Sequence, residues 1–143
     1  MRRIIKIIII VLLCASVYYK YFFYYDHENG CAIKITPSFE MSNTTIKNAI
    51  EVLKYGSPEE YKNLCTNIDT ISTDVSCGGF GGGCYEHTPR RITISTSGRK
   101  LLITAAIITH ETCHAVQDKE NRTMDENECY KASDRALDTL AEF

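Results

Sequence analysis

The chain lacks an excess of charge of one sign. Its 143 residues carry 16 Lys and Arg against 18 Asp and Glu, which gives a net charge of −2. A nucleic-acid-binding surface needs a concentrated positive field, so this balance excludes nucleic acid as an expected partner. With 44% hydrophobic and 24% charged residues, the composition is typical of a chain that folds around one core.

Two sequence motifs are also absent. No Cys-x-x-Cys pair occurs among the seven cysteines, so the spacing of structural zinc sites is missing. The glycine-rich loop at 78–83 is not followed by Gly-Lys-Ser/Thr or by the start of a helix. Both features are needed for a loop that cradles phosphate, and a nucleotide-binding function is therefore not expected.

The N-terminal residues have the composition of a membrane segment. Arg2, Arg3 and Lys6 precede an apolar run at 7–17, and a cluster of aromatic residues follows the run. The run is short for a span of about 20 residues, but lysines at its two ends can reach the interfaces and the aromatic side chains suit the interfacial belt. The sequence therefore predicts a single membrane-spanning helix.

This helix divides the chain into an anchor at 1–25 and a domain at 26–143. Because basic residues near a span remain in the cytoplasm, we expect the C-terminal domain on the extracytoplasmic side. The alternative is a cleaved signal peptide and a secreted domain, for which Cys14-Ala15-Ser16 offers a poor cleavage site. Both alternatives export the domain.

Hydrophobic periodicity predicts an α+β domain with a short antiparallel sheet and four helices. Ser42 or Asn43 is the expected cap of the first of these helices. The predicted strands are 31–36, 68–76 and 90–97, and the predicted helices are 43–56, 57–65, 101–118 and 125–140.

The third of these helices contains His110-Glu111-Thr112-Cys113-His114. In an α-helix two residues four apart lie one turn above each other, so His110 and His114 present both imidazoles to one point. This geometry binds zinc, and Glu111 can reach a water in an open coordination position without being a ligand. The pattern therefore predicts a Zn²⁺ site in which Glu111 is the general base.

Three segments together resemble the core of the zincin metallopeptidases, in the version whose third ligand is a glutamate on the following helix. They are RRITISTS at 90–97, LLITAAIITHETCHAVQ at 101–117 and ENECYKASDRAL at 126–137. The resemblance implies that the two histidines bind zinc and that the motif glutamate activates water for peptide-bond hydrolysis. It also implies that the strand at 90–97 lies at the edge of the sheet and pairs with extended substrate.

The third ligand is expected on the helix at 125–140. With about 100° per residue, Glu126 falls roughly 55° from the centre of the apolar face, whereas Glu128 falls more than about 100° away. The family pattern of a glutamate followed three residues later by a small residue also fits Glu126. Because Asn-Glu begins this motif in some family members, Glu128 stays an alternative, as does Asp125.

Members of this family often have an acidic residue four positions after the glutamate ligand, where it orients a histidine. Here that position is Tyr130, so the orienting carboxylate is open between Asp134 and Asp118. Tyr130 is predicted either as a half-buried helix residue or as a donor to the oxyanion of a tetrahedral intermediate. His87 is predicted as either a cleft residue or loop surface.

Six cysteines lie beyond the N-terminal segment, an even number that in an oxidising compartment indicates up to three disulfides. Cys77 and Cys84 flank the glycine-rich loop and are one expected pair. Cys113 and Cys129 lie on the motif helix and the following helix, and they form a second expected pair that would fix the ligand geometry. Buried free thiols are the alternative.

We therefore expect a membrane-anchored zinc metallopeptidase that hydrolyses protein or peptide substrates by metal-activated water. Its expected zinc ligands are His110, His114 and Glu126. The alternatives are a non-catalytic zinc-binding domain and a disulfide-stapled extracytoplasmic interaction domain, in which the histidines are four apart by coincidence.

Overall fold

The computed structural model describes residues 2–36, 43–74, 76–77, 82–95 and 100–142. Ser42, most of the glycine-rich loop and the end of the strand predicted at 90–97 lie outside these residues. Within them the chain forms five helices and five strands, which confirms the α+β class. In chain order the elements are α1 (Arg2–Phe22), β1 (Phe23–Asp26), β2 (Cys31–Ile35), α2 (Asn43–Gly56), α3 (Pro58–Asn67), β3 (Thr70–Thr73), β4 (Gly83–Glu86), β5 (Arg91–Ile94), α4 (Leu101–Lys119) and α5 (Glu126–Ala141).

The sheet is mixed, so the expected antiparallel arrangement is wrong for its centre. Its strand order is β1-β2-β3-β5-β4. The outer pairs β1–β2 and β4–β5 are antiparallel, whereas β2–β3 and β3–β5 are parallel. The physical reason is the connection from β2 to β3, which passes through α2 and α3, because a helical crossover returns the chain to the sheet in the same direction.

Helix α4 is the central helix of the domain. It contacts α2, α3, α5, β4 and β5, and its buried positions occur all around its circumference. A helix that is apolar on every side is stable only when it is surrounded, which explains why this segment is largely apolar up to the motif. The isoleucines of the central strands, including Ile71, Ile92 and Ile94, are fully buried in the same core.

The N-terminal helix continues directly into the sheet. Helix α1 ends at Phe22 and β1 begins at Phe23, three residues before the boundary predicted at 26. Tyr24 is buried, and its hydroxyl is 3.1 Å from that of Tyr61 on α3. Residues 3–22 are long and apolar enough to cross a membrane, and none of that segment is buried. The helix could therefore serve as a signal anchor or a membrane span.

Three disulfides cross-link the described part of the domain. Cys31–Cys65 joins β2 to α3, Cys77–Cys84 closes the glycine-rich loop, and Cys113–Cys129 joins α4 to α5. The pairs Cys77–Cys84 and Cys113–Cys129, which were expected from the sequence, are confirmed. The remaining two of the six cysteines, Cys31 and Cys65, form the third pair. Disulfides persist in oxidising compartments, so this pattern suits a domain outside the cytoplasm.

Candidate metal centre

The two motif histidines converge on one point beside α4. Their Nε2 atoms are 3.2 Å apart, and the rings meet nearly edge to face, with centroids 4.9 Å apart. His114 is buried, and His110 is only slightly exposed. Burial, together with the neighbouring His114, lowers the pKa of His110. A neutral imidazole with a free lone pair is the form that binds a metal.

Glu126, the first residue of α5, completes the cluster. Its Oε2 is 3.1 Å from His110 Nε2, and its Oε1 is 3.4 Å from His114 Nε2. The three ligand atoms all lie within 4.8 Å of one another. Zinc bonds of about 2.0–2.2 Å in tetrahedral geometry separate neighbouring ligand atoms by about 3.3–3.6 Å. The donor set and its spacing therefore fit a zinc ion.

The other two candidates for the third ligand are engaged elsewhere. Glu128 accepts hydrogen bonds from Nη1 and Nη2 of Arg122, at 2.7 and 3.0 Å, and hydrogen bonds from Arg122 and then Gln117 lower the pKa of this carboxylate to about 2. Asp125 caps α5 by accepting from the backbone amides of the second and third helical residues. Of the three acidic residues, Glu126 is thus the one brought to the histidines.

A buried glutamine orients His114. Gln117 is fully buried, and its Oε1 is 3.1 Å from His114 Nδ1. The Asp125 amide donates to the same oxygen, while Gln117 Nε2 donates to the Asp125 carbonyl and to Glu128 Oε2. Because these contacts fix the amide orientation, Nδ1 of His114 donates and Nε2 keeps its lone pair for a metal.

The two carboxylates that were candidates for orienting a motif histidine lie elsewhere in the structure. Asp134 is exposed on α5. Asp118 accepts a 2.9 Å hydrogen bond from the Tyr85 hydroxyl and contacts His87 Nδ1. Of the side chains in the described residues, it is therefore Gln117, and neither of these two open candidates, that places an oxygen beside Nδ1 of His114. The position of Gln117 in the sequence could have indicated its role, because it lies three residues after His114 and hence on the same face of α4.

Glu111 is buried beside this cluster against β4. A Cβ atom added at Gly83 would lie 2.8 Å from both Glu111 Cγ and Ile107 Cγ2, so this strand position has room only for glycine. Within the part of the chain that the structure describes, no hydrogen bond reaches the Glu111 carboxylate. Burial, and then the charge of Glu126, raises its pKa to about 7. A carboxyl group with this pKa can both accept and return a proton near neutral pH.

The cluster opens into a groove of about 580 Å³ between β4 and the helices α4 and α5. Strand β4 lies at the outer edge of the sheet, and β5 lies between β3 and β4. The expectation that the strand at 90–97 forms the edge is therefore wrong. Strand β4 was not predicted from the sequence, because all four of its residues are half-buried and show no alternation of buried and exposed positions.

Two tyrosines, Tyr130 and Tyr85, line the groove at different places, whereas His87 is not among its lining residues. Tyr130 is 59% exposed and lines the groove, with its ring 4.6 Å from that of His110. It is thus a surface residue rather than a half-buried one. At the far end of β4, Tyr85 and exposed His87 both contact Asp118, which ties the strand to α4. Burial and the Asp118 hydrogen bond raise the pKa of Tyr85 to about 12.

No protein-family model matches the chain. Comparisons with curated proteins and with solved structures also give no match.

Proposed function

We propose that the chain is a membrane-anchored zinc metallopeptidase of the zincin type. The observation that carries this proposal is the convergence of His110, His114 and Glu126 at the ligand spacing of tetrahedral zinc. Glu111 stands beside them in the same groove. Within the described residues the group has three members, and three protein ligands with one open position are typical of catalytic zinc, whereas structural sites usually have four.

Zinc held by these residues would supply Lewis-acid activation of water and of the scissile carbonyl. The other steps belong to side chains of the domain. Glu111 accepts the proton of the attacking water and returns it to the leaving amine, a role for which its buried position in the groove beside the three ligands is suited. Gln117 holds His114 in the tautomer that leaves Nε2 free.

The substrate is proposed to lie in the groove in extended form, beside β4. An edge strand has unpaired backbone groups that can bind another chain by strand addition. Gly83 places the start of this strand directly against Glu111. A peptide paired with β4 would thus pass the general base and the zinc ligands.

Zinc content of the full chain in detergent micelles is the first test. We expect one zinc per chain in the wild type and its loss in His110→Ala, whereas His27→Ala, a variant of an exposed histidine in the turn after β1, keeps it. Glu111→Gln should keep zinc but lose about 100-fold or more of casein cleavage, because the base is absent.

Each alternative has its own outcome in this test. Zinc bound without casein cleavage would support the non-catalytic zinc-binding domain. Absence of zinc from folded, oxidised protein would instead support the disulfide-stapled interaction domain, and the histidines would then be coincidental.

A further inference from the structure

The anchor helix is attached to the domain by its backbone and by side-chain contacts. No linker separates Phe22 of α1 from Phe23 of β1. Asn43 Nδ2 of α2 donates a 3.2 Å hydrogen bond to the Tyr21 carbonyl, and Lys47 Nζ donates to the Lys20 carbonyl. Carbonyls in the last turn of a helix have no partner within it, so these two side chains cap α1 and attach it to α2.

Gly83, which lines the groove and lies against Glu111, is at the end of the sheet that α1 enters. Strand β1 begins at this end, and its antiparallel neighbour β2 ends there. Strands β3 and β5 run parallel to β2 and also end there, and antiparallel β4 therefore begins there, at Gly83. Four strand spacings separate β1 from β4, which is about 19 Å.

These contacts limit how far the groove can lie from a bilayer. A domain of this length has a radius of gyration of about 13–14 Å, so no part of it extends more than about 40 Å from the end of α1. We propose that the groove takes an extended, membrane-proximal segment of another membrane-anchored polypeptide. This inference rests on the proposed peptidase function and names the class of substrate for the same site.

Two features of the groove support such a substrate. Ile103 in the first turn of α4 lines it and is 40% exposed, and Tyr130 lines it on the other side. These side chains can receive apolar and aromatic residues, which are enriched where polypeptides leave a membrane. Anchoring in the same bilayer also raises the effective concentration of a substrate to about the millimolar range for short connections.

The test uses the full chain in vesicles of phosphatidylcholine and phosphatidylglycerol with two single-span substrates. Both carry the same unstructured cleavable segment. In one it begins about 5 residues from the span, and in the other a proline-rich spacer of about 25 residues holds it about 75 Å away. We expect the wild type to cleave the near substrate at least about tenfold faster.

A matched enzyme variant carries the same proline-rich spacer between Phe22 and Phe23, which lifts the groove away from the bilayer while β1 stays intact. Its preference should reverse toward the far substrate. Equal cleavage of both substrates by the wild type, or a preference that the spacer leaves unchanged, would overturn the inference.

Casein cleavage in detergent and zinc content separate failure of this inference from failure of the function. If casein is cleaved and zinc is bound but distance has no effect, the peptidase function stands and the membrane-proximal substrate is rejected. If zinc is bound and neither casein nor either vesicle substrate is cleaved, the peptidase function is rejected and this inference with it.

Discussion

Two polar clusters in this domain differ in how fully their hydrogen-bonding capacity is used. Around Asp26, at the end of β1, the carboxylate accepts from Tyr61, Asn29 and Lys54 at 2.6–2.9 Å and from two backbone amides. Around the metal centre, Glu126 is 63% exposed, and within the described residues the Glu111 carboxylate has no hydrogen-bond partner.

This difference distinguishes a carboxylate that stabilises the fold from a cluster that has room for a ligand. A carboxylate whose acceptor sites are filled by side chains of the same domain has no capacity left for a ligand, so it stabilises the fold. At the candidate metal centre the buried Glu111 carboxyl group has no such partner among the described residues, and its burial is costly unless water or a ligand reaches it. Changes at the metal centre should therefore alter zinc binding and activity, whereas changes around Asp26 should alter stability.

The largest effect is expected for Glu126→Gln, which removes the proposed charged ligand and leaves the neighbouring helix cap intact. Zinc affinity should fall by more than about 100-fold. Loss of a residue that only orients a ligand typically lowers metal affinity by about 10–100-fold, and loss of a ligand itself should cost more. Glu128→Gln is the matched control two residues away, and it should keep zinc because Glu128 binds Arg122 instead and a glutamine there can still accept from Gln117. Zinc affinities from competition with a chelator would measure both. A greater loss in Glu128→Gln would mean that the ligand assignment is wrong.

Gln117→Ala should have the next largest effect, because it removes the acceptor that orients His114. We expect a 10–100-fold loss of zinc affinity. Gln117→Glu keeps an acceptor for His114 Nδ1 and should recover part of this affinity, although it loses the donors to Asp125 and Glu128. Chelator competition measures the affinity and thermal unfolding measures the fold. If both variants lose equal affinity, the role of Gln117 is packing and not orientation.

Two of the disulfides can be compared for their effects on stability and on zinc binding. The Cys113–Cys129 bridge joins the helices that carry the proposed ligands, and Cys129 Sγ is 3.6 Å from His114 Nδ1. Replacing both cysteines with serine should cost about 3 kcal/mol of stability and about tenfold in zinc affinity. The same replacement at Cys31–Cys65, which closes the longer loop, should cost slightly more stability and leave zinc affinity unchanged.

Chemical denaturation in detergent and chelator competition on the same samples would measure the two effects. Equal losses of zinc affinity in the two double variants would show that the Cys113–Cys129 bridge acts only through global stability. The contrast between the two bridges would then disappear.

The parts of this molecule that depend on local patterns were predictable. Helix α4 was expected at 101–118 and is observed at Leu101–Lys119, because its limits follow from periodicity and its motif geometry from helical spacing. Strand β4 and the role of Gln117 were missed. Both depend on contacts that form only in the fold, namely the pairing of β4 with β5 and the hydrogen bond from the Asp125 amide to Gln117, and neither contact has a sequence signature. Strand β1 was hidden because its aromatic residues also suit a membrane interface.

The smallest effect is expected at Asp26, and it concerns stability at low pH. Hydrogen bonds from Tyr61, Asn29 and Lys54 lower the pKa of Asp26 well below its ordinary value. Folding therefore favours the ionised form, and this stabilisation is complete above the unfolded-state pKa of about 3.9. It is lost as the pH falls from there through the lower folded-state pKa. Asp26→Asn should thus be less stable than the wild type at neutral pH, with a difference that narrows below about pH 4.

Asp138→Asn, a variant of an exposed carboxylate on α5, is the matched control. Its unfolding curves should follow those of the wild type at every pH, and zinc affinity at neutral pH should be unchanged in both variants. Thermal unfolding of the full chain in detergent across the acid range measures the first quantity. A constant difference between Asp26→Asn and the wild type would mean that the cluster stabilises through packing, because only an ionisable carboxylate can give the narrowing.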